Sequence, residues 1–400
     1  MLKAPRTFLL ICLAGTALAA PAYAENPEIV DVLLGNIEKQ TQLKPAFESA
    51  EDDGNGNIVI KNLTMSPSIP DATMTLTVGE IQLNDVSDSD DGLYEIGSAV
   101  IKDVKLDGKS NDGQAFSINM PESAVESWYV YDAGDSTEPK DLMRASMTVA
   151  RKMTSGPITA NAMGQSITTD GYTATWDGDP RTGAGKFDTA VSNVVIPESL
   201  IGMADQMGTL KGMGYSSITL DMRGTGEIRM DDQNMAMDLD FGLGAKDMAG
   251  LKFTVNAEGI PIAVYAELNK AQTSGKEPDF NALMPQLQNV SFGNFSIRFE
   301  DASITKKLLP MIAMMSGMGD EAALIANAGA MAQLGLMQLN APEFSAQAVA
   351  AINAFLKDPK SFTIAVNPPA PVSVSQLMTL DTNDPGAAIK MLNVTVSAND

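Results

Sequence analysis

Eight letters recur three times within fifty residues: GNIVIKNL (56–63), GEIQLNDV (79–86) and GSAVIKDV (97–104). Their shared form is Gly-x-apolar-x-apolar-polar-Asn/Asp-apolar. The two central apolar positions stand two apart, the spacing that puts side chains on one face of a β-strand. They are Ile58 and Ile60, Ile81 and Leu83, and Ala99 and Ile101. The closing apolar residues, Leu63, Val86 and Val104, fall three further on and break strict alternation. A bulge or bend at Asn62, Asp85 and Asp103 would return them to the same face. Start-to-start distances of 23 and 18 residues suit a strand with its return strand, stacked again and again. The repeat therefore predicts a layered sheet with one apolar face. GEIRMDD (226–232) and FSIRFED (295–301) echo it weakly.

The rest of the chain fits that frame. PEIVDVLLGNIEKQTQ carries apolar residues four apart at Ile29, Leu33 and Ile37, which predicts a helix over 27–44. From 56 to about 300 short β-prone runs alternate with Gly, Asp and Asn, among them TLTVGEIQL, QAFSINM, SWYVY, RASMTVARKM and IAVYAEL. No strand-helix-strand rhythm interrupts them. INMPESAV (118–125) and VVIPESLI (194–201) share a strand followed by Pro-Glu-Ser, where proline is expected to end the strand and open a helical turn. A helical segment is expected over 303–358, where Ala, Met and Leu dominate. SFTIAVNPP (361–369) and LNVTVSAN (392–399) read as closing strands, the last returning to the main sheet, with a short helix at 384–392 between them. The expected fold is mainly β: a long, curved, quasi-repetitive antiparallel sheet with an apolar inner face, plus helices near the N-terminus and in the C-terminal region (α+β). One elongated body over 25–400 is expected rather than independent domains.

The first 24 residues read as a signal peptide. Lys3 and Arg6 precede the apolar run TFLLICLAGTALAA, and AYA (22–24) is a small-x-small cleavage site. Export to the periplasm is the expected localisation. The single cysteine, Cys12, lies inside that leader, so an exported chain holds itself without disulfides. Loss of Lys3 and Arg6 would take the net charge from −23 to −25. Such an acidic chain is not expected to bind nucleic acid, whose phosphates need basic partners. No transmembrane segment is expected after cleavage, the nearest apolar run being the short MIAMMSGMG (311–319).

Chemistry is constrained by what is missing. With no histidine and no cysteine after the leader, neither a Ser-His-Asp triad, a Cys-His pair nor a zinc-histidine site can be built. A carboxylate-only hydrolase remains conceivable, but no pair stands out among so many acidic residues. DDGNGN (52–57) and SDSDD (87–91) offer Asp52, Asp53, Asn55, Asn57, Asp88, Asp90 and Asp91 as oxygen ligands of the kind calcium takes. In a chain this acidic such clusters are more often solvated turns, and neither a metal nor a cofactor is expected. Trp128, Tyr129 and Tyr131, with Tyr172 and Trp176, form the one dense aromatic group, better read as sheet packing than as a sugar platform. Methionine is abundant, with 25 in the chain. Met147, Met153, Met222, Met230, Met235, Met237, Met311, Met314, Met315, Met318, Met331 and Met337 fall in predicted strands and late helices. Met adapts to irregular apolar shapes, so a Met-lined groove for acyl chains is chemically sensible, while core filling is the commoner role of any one Met.

The leader, the repeated strands, the late helix and closing strand in PEFSAQAVAAINAFLKDPKSFTIAVNPPAPVSV (342–374), and MLNVTVSAND (391–400) resemble a group of uncharacterised exported alphaproteobacterial proteins. More distantly the stacked strands resemble the AsmA- and YdgA-like envelope proteins. That resemblance implies long curved sheets and, for some members, lipid transport between membranes; it brings no catalytic residues. The expected function is a non-enzymatic periplasmic envelope protein binding a lipid or other apolar ligand in a sheet groove. The alternative is a structural or protein-interaction factor for envelope integrity, with an envelope protein as partner.

Overall fold

A computed structural model describes residues 27–400 apart from 42, 68–73, 90, 111–112, 148, 206–207, 274–279 and 382–383. The expected leader over 1–24, and Asp90 of the second acidic cluster, lie outside the described residues. The fold is mainly β and antiparallel, with several helices. The contacts group into two compact units. The first takes the described residues up to Gly185, with Val191–Val195 and the described part of Tyr265–Pro278; the second takes Lys186–Ala190, Ile196–Val264 and the described residues from Asp279 on.

The first unit opens with α1 (Glu28–Thr41), β1 (Leu43–Ala46), β2 (Ser49–Asp52), β3 (Ile58–Pro67), β4 (Met74–Asp88), β5 (Leu93–Lys109) and β6 (Ala115–Tyr131). After α2 (Pro139–Ser146) come β7 (Val149–Ser155), β8 (Ile158–Ala162), β9 (Gln165–Thr169), β10 (Gly171–Asp179) and β11 (Ala184–Pro197), whose residues are divided between the units. The expected helix to residue 44 stops at Thr41. The Thr41 hydroxyl donates to the Ile37 carbonyl at 2.7 Å and accepts from the Leu43 amide at 3.3 Å. Lys44 precedes Pro45 and so favours extended backbone, which pairs as β1 with β3.

The three octads fall on β3, β4 and β5, successive neighbours in one antiparallel meander. Each copy thus takes the next strand, not every second strand as its spacing suggested. The bends stand where the sequence placed them: Asn62, Asp85 and Asp103 have φ of 50°, 55° and 56°. They are not bulges, because the register on either side of each is unchanged. The left-handed residue shifts the phase of the pleat instead. Buried side chains accordingly run 58, 60, then 63, 65 in β3, and 96, then 99, 101, then 104, 106 in β5.

Pairing aligns these positions in two rows across the strands. One row holds Gly56, Asp85, Gly97 and Ser127, the other Asn62, Gly79, Asp103 and Pro121. β4, β5 and β6 shift phase at both rows and β3 at Asn62, the one it reaches, so the apolar face stays continuous. The glycines are required by space: a Cβ on Gly97 would lie 2.9 Å from the Asp85 Cβ, and one on Gly79 3.0 Å from the Asp103 Cβ. The pattern also exposes a fourth copy, PESAVESW (121–128) in β6. There Pro121 takes the glycine seat, and Ser127, at φ 46°, the Asx seat. Ser123 occupies the first apolar position, buried with its hydroxyl 2.9 Å from the Thr154 carbonyl.

Pro121 does not end its strand, contrary to expectation. β6 pairs with β8 through Phe116–Asn119 and with β7 through Ser123–Tyr129. Pro121 sits in the gap between the two partners, where a missing N–H costs no ladder bond. In VVIPESLI the expectation holds: β11 ends at Pro197 and a helix starts at Glu198. The apolar face of β3–β6 is filled. Ile29, Val30, Leu33 and Leu34 of α1 pack on Ile60, Leu63, Met65, Val78, Leu83 and Ile96, all buried.

The second unit continues with α3 (Glu198–Ala204), α4 (Thr209–Gly212), β12 (Ser217–Met230), β13 (Asn234–Ala245), β14 (Ala249–Pro261), α5 (Ile262–Thr273, crossing the division), α6 (Phe280–Leu287) and β15 (Ser291–Asp301). Then follow α7 (Ile304–Met315), α8 (Glu321–Leu336) with a 3-10 turn at Met337–Leu339, and α9 (Pro342–Lys357). The chain closes with β16 (Ser361–Val366), β17 (Val372–Ser373), α10 (Val374–Met378), α11 (Pro385–Met391) and β18 (Val394–Ala398). β12, β13, β14, β15, β16 and β18 pair in that spatial order, all antiparallel. The expected stretch of strands over 56–300 is interrupted by α2 to α6. IAVYAEL, expected as a strand, opens α5: the β14 ladder stops at Pro261, and Ala, Glu and Leu favour helix once it has. The helical segment at 303–358 and the return of the final strand beside β16 are as expected.

Candidate functional site

Alternation in the second unit sorts its side chains into two unlike faces. One face is polar and cross-linked. Arg223 pairs with Asp188 at 2.6 Å, Lys252 with Glu300 at 2.8 Å, and Arg298 with Glu300 at 3.0 Å. Arg229 pairs with Asp238. The hydrogen bond from Asn256, then that from Arg229, hold the Asp238 carboxyl below its ordinary range; Lys252, then Arg298, do the same for Glu300.

The other face is apolar on every strand. β12 contributes Ile218, Leu220, Met222, Ile228 and Met230. On β13, Leu243, Met237 and Met235 stand opposite Met222, Ile228 and Met230, with Phe241 facing Gly224 and Leu239 facing Gly226. β14 continues with Leu251, Phe253, Val255 and Ala257, and β15 with Phe299, Ile297, Phe295 and Phe292. Phe362, Ile364 and Val366 of β16, then Ala398, Val396 and Val394 of β18, complete the rows. Irregularities at Met235/Met237 and Val255/Ala257 keep the phase.

This face is not filled as in the first unit. Of the residues just named only Met235, Ala257 and Val396 are buried. Phe241, Phe292, Phe295 and Ile364 are 44%, 38%, 37% and 41% exposed. Helix α9 covers the β16–β18 end: Ala348 and Ala351 pack on Val396, and the Phe355 ring lies 5.9 Å from Phe299 and 5.7 Å from Phe362. At the β12 side the Phe187 ring lies over Gly226, where an added Cβ would be 2.8 Å from it. Between these limits the wall runs about eight residues along the strands, roughly 26 Å at ~3.3 Å per residue, with most of its side chains half-buried and those four exposed.

The wall can do one thing chemically: take apolar surface out of water. It holds Met222, Met230, Met235 and Met237 of the methionines singled out in the sequence. Met311, Met314, Met315, Met331 and Met337 belong to α7, α8 and the turn that follows, Met153 on β7 packs on the first unit's core, and Met147 and Met318 stand outside the helices and strands. A cleft of about 550 Å³ elsewhere in this unit is lined by Glu198, Ile201, Lys211 and Tyr215, among others. Its charges serve each other, with Lys211 2.7 Å from Glu198.

The other sequence candidates take structural places. In the first acidic loop the Asp52 carboxylate accepts from the Gly54 amide, and that of Asp53 from the amides of Asn55 and Asn57, at 2.7–3.2 Å. Asp91 pairs with Arg181 at 3.0 Å. Among the described residues no three acidic side chains gather as a cation site. Trp128 and Tyr172 pack on the first unit's core. Tyr129 meets Trp176 edge-on at 6.4 Å, and Arg144 lies 3.5 Å over the Tyr131 ring. The sequence reading passed over Glu321–Leu339, a longer apolar helix than MIAMMSGMG and long enough to cross a membrane. Alanine, glycine and glutamine dilute its run; the signal was its lack of charge.

A family model described as an uncharacterized protein matches residues 242–399, most of the strands that form the wall. No curated protein matches the chain.

Proposed function

We propose that this chain is a non-enzymatic periplasmic envelope protein that binds a lipid or another apolar ligand on the open sheet face of its second unit. The observation that supports this reading best is the exposure of Phe241, Phe292, Phe295 and Ile364 in the middle of an otherwise unbroken apolar wall. Leaving such a surface in water forgoes about 25 cal/mol per Å² that a ligand would recover. The wall's length of roughly 26 Å exceeds the ~15 Å that one leaflet's acyl chains occupy. The leader-like first 24 residues support an envelope setting.

The filled first unit favours a second reading, a structural or protein-interaction factor, since its apolar face is spent on α1. Native mass spectrometry of the protein from its own envelope, followed by organic extraction, separates the two. Co-purifying lipid is expected. A clean ligand-free mass, with no uptake of an added fatty acid, would rule out the carrier and leave the interaction factor.

A further inference from the structure

The late helices carry a second apolar surface. From Ala322 to Pro342 the chain has no charged residue, and from Leu308 to Leu356 it has no cationic one. Glu321–Leu339 is, among the described residues, long and apolar enough to cross a membrane, yet 6% of it is buried. Its inner side meets α9, where a Cβ on Gly329 would lie 2.4 Å from Asn353 Oδ1. Its outer side carries no charge after Glu321 and is mostly apolar, broken by the exposed Gln333 and Gln338. Ala326 and Ala330 are exposed there, with Met331, Leu334 and Met337 at 65–68% exposure; at the end of α7, Met314 and Met315 reach 76% and 66%.

A helix that only covers a protein core is polar on its far side. Two glutamines apart, α8 and the turn after it present mainly apolar side chains on the far side too, five of them 65–76% exposed once Met314 and Met315 of α7 are included, so what surrounds them beyond the protein is apolar. A groove on a partner protein would match one narrow line of anchors at i, i+3, i+4 and i+7. The exposed apolar arc here spans roughly half the circumference at 3.6 residues per turn. We infer that α7 and α8 lie on a lipid bilayer, with α8 in the plane of the surface and its outer arc among the acyl chains. The contact with α9 and the acidic pair Asp320–Glu321 at the turn keep α8 from threading across. With no cation on the arc and a net charge of −23, attachment works by apolar burial on zwitterionic lipid. The inference rests on the lipid reading proposed above but is carried by residues outside the sheet.

The test is flotation with phosphatidylcholine vesicles. The wild-type protein is expected to float, equally at low and high salt. The variant Met331→Glu/Leu334→Glu should float at least about tenfold less, since charge enters hydrocarbon at high cost, while still taking up a fluorescent fatty-acid analogue at the sheet. Leu334→Trp gives a reading that does not depend on loss: its added emission should shift to the blue when vesicles are supplied. The inference is overturned if the wild-type protein stays at the bottom of the gradient, or if the L334W emission does not move. It is equally overturned if the protein is a dimer that the double glutamate variant dissociates, because a second copy then covers α8. Flotation with no fatty-acid uptake would uphold the bilayer surface and count against the sheet site alone.

Discussion

Phe241 lets the sheet site be weighed one side chain at a time. It is 44% exposed, and its ring lies 6.4 Å from that of Phe253 in the next strand. A phenylalanine buries roughly 200 Å² when fully covered. The part still exposed is therefore roughly 90 Å², which at ~25 cal/mol per Å² is about 2 kcal/mol of ligand contact if fully covered. Half coverage, by a chain lying alongside, would leave about 1 kcal/mol. Phe241→Thr keeps a strand-favouring residue and removes that surface, so fatty-acid affinity should fall between about fivefold and thirtyfold. Ile364→Thr, starting from 41% exposure, should weaken it in the same direction. The control lies one residue away on the opposite face: Lys252 is the pairing partner of Gly242, and its ion pair with Glu300 is exposed. Lys252→Thr should change affinity by less than about twofold, and stability by less than about 1 kcal/mol. Titration of a fluorescent fatty-acid analogue gives the affinities, and urea unfolding shows that each variant is folded. An unchanged affinity in F241T, or equal losses in F241T and K252T, would refute a site confined to this face.

Two further predictions concern the first unit. Gly97→Ala should cost about 1–3 kcal/mol in urea unfolding, because its Cβ would meet that of Asp85 at 2.9 Å. Asp85→Gly should be neutral or slightly stabilising at φ 55° and should rescue Gly97→Ala; simple additivity in the double variant would show that the two residues do not share a seat. Burial, then the hydrogen bond to Glu28, pushes the Tyr94 phenol up to about 12 from 10.0. The neutral form is thus favoured by folding, so its contribution is full below about pH 10 and is lost as pH rises from about 10 to about 12, on the order of 2 kcal/mol. Wild-type stability should fall more steeply over that window than that of Tyr94→Phe, and parallel curves would exclude the coupling.

The bends at Asn62, Asp85 and Asp103 were legible because a break in alternation followed by Asn or Asp has few other backbone solutions. The fourth copy escaped notice because its chemistry changes at three of its five seats: Pro121 for glycine, Ser123 for the first apolar residue, Ser127 for Asx. Only Val125, Trp128 and the six-residue interval survive there, and two apolar residues without the glycine and Asx that frame them are a weak signal. The apolar wall of β12–β18 was visible as alternation in each strand, but its openness was not. Whether a face is filled depends on where helices come to rest: α1 has charged residues at both ends and an apolar stripe between them, whereas α8 lacks charge after Glu321 and leaves most of itself in the open, and no single strand's pattern records either outcome. IAVYAEL misled for the opposite reason: Ile262, Val264 and Tyr265 are residues that strands favour, while its place after Pro261 makes it a helix.

The two rows of bends also decide where this chain tolerates a change of length. Within each of the four copies the residues seated in opposite rows lie six apart, from Gly56 to Asn62 and again from Pro121 to Ser127. A single insertion inside that interval would reverse the facing of everything between it and the next turn, and would move an Asx off the height its glycine neighbour leaves vacant. The hairpins outside the rows carry no such constraint. That is why the copies begin at unequal distances along the chain and still stack in one register: length varies freely at the turns and is quantised between the rows.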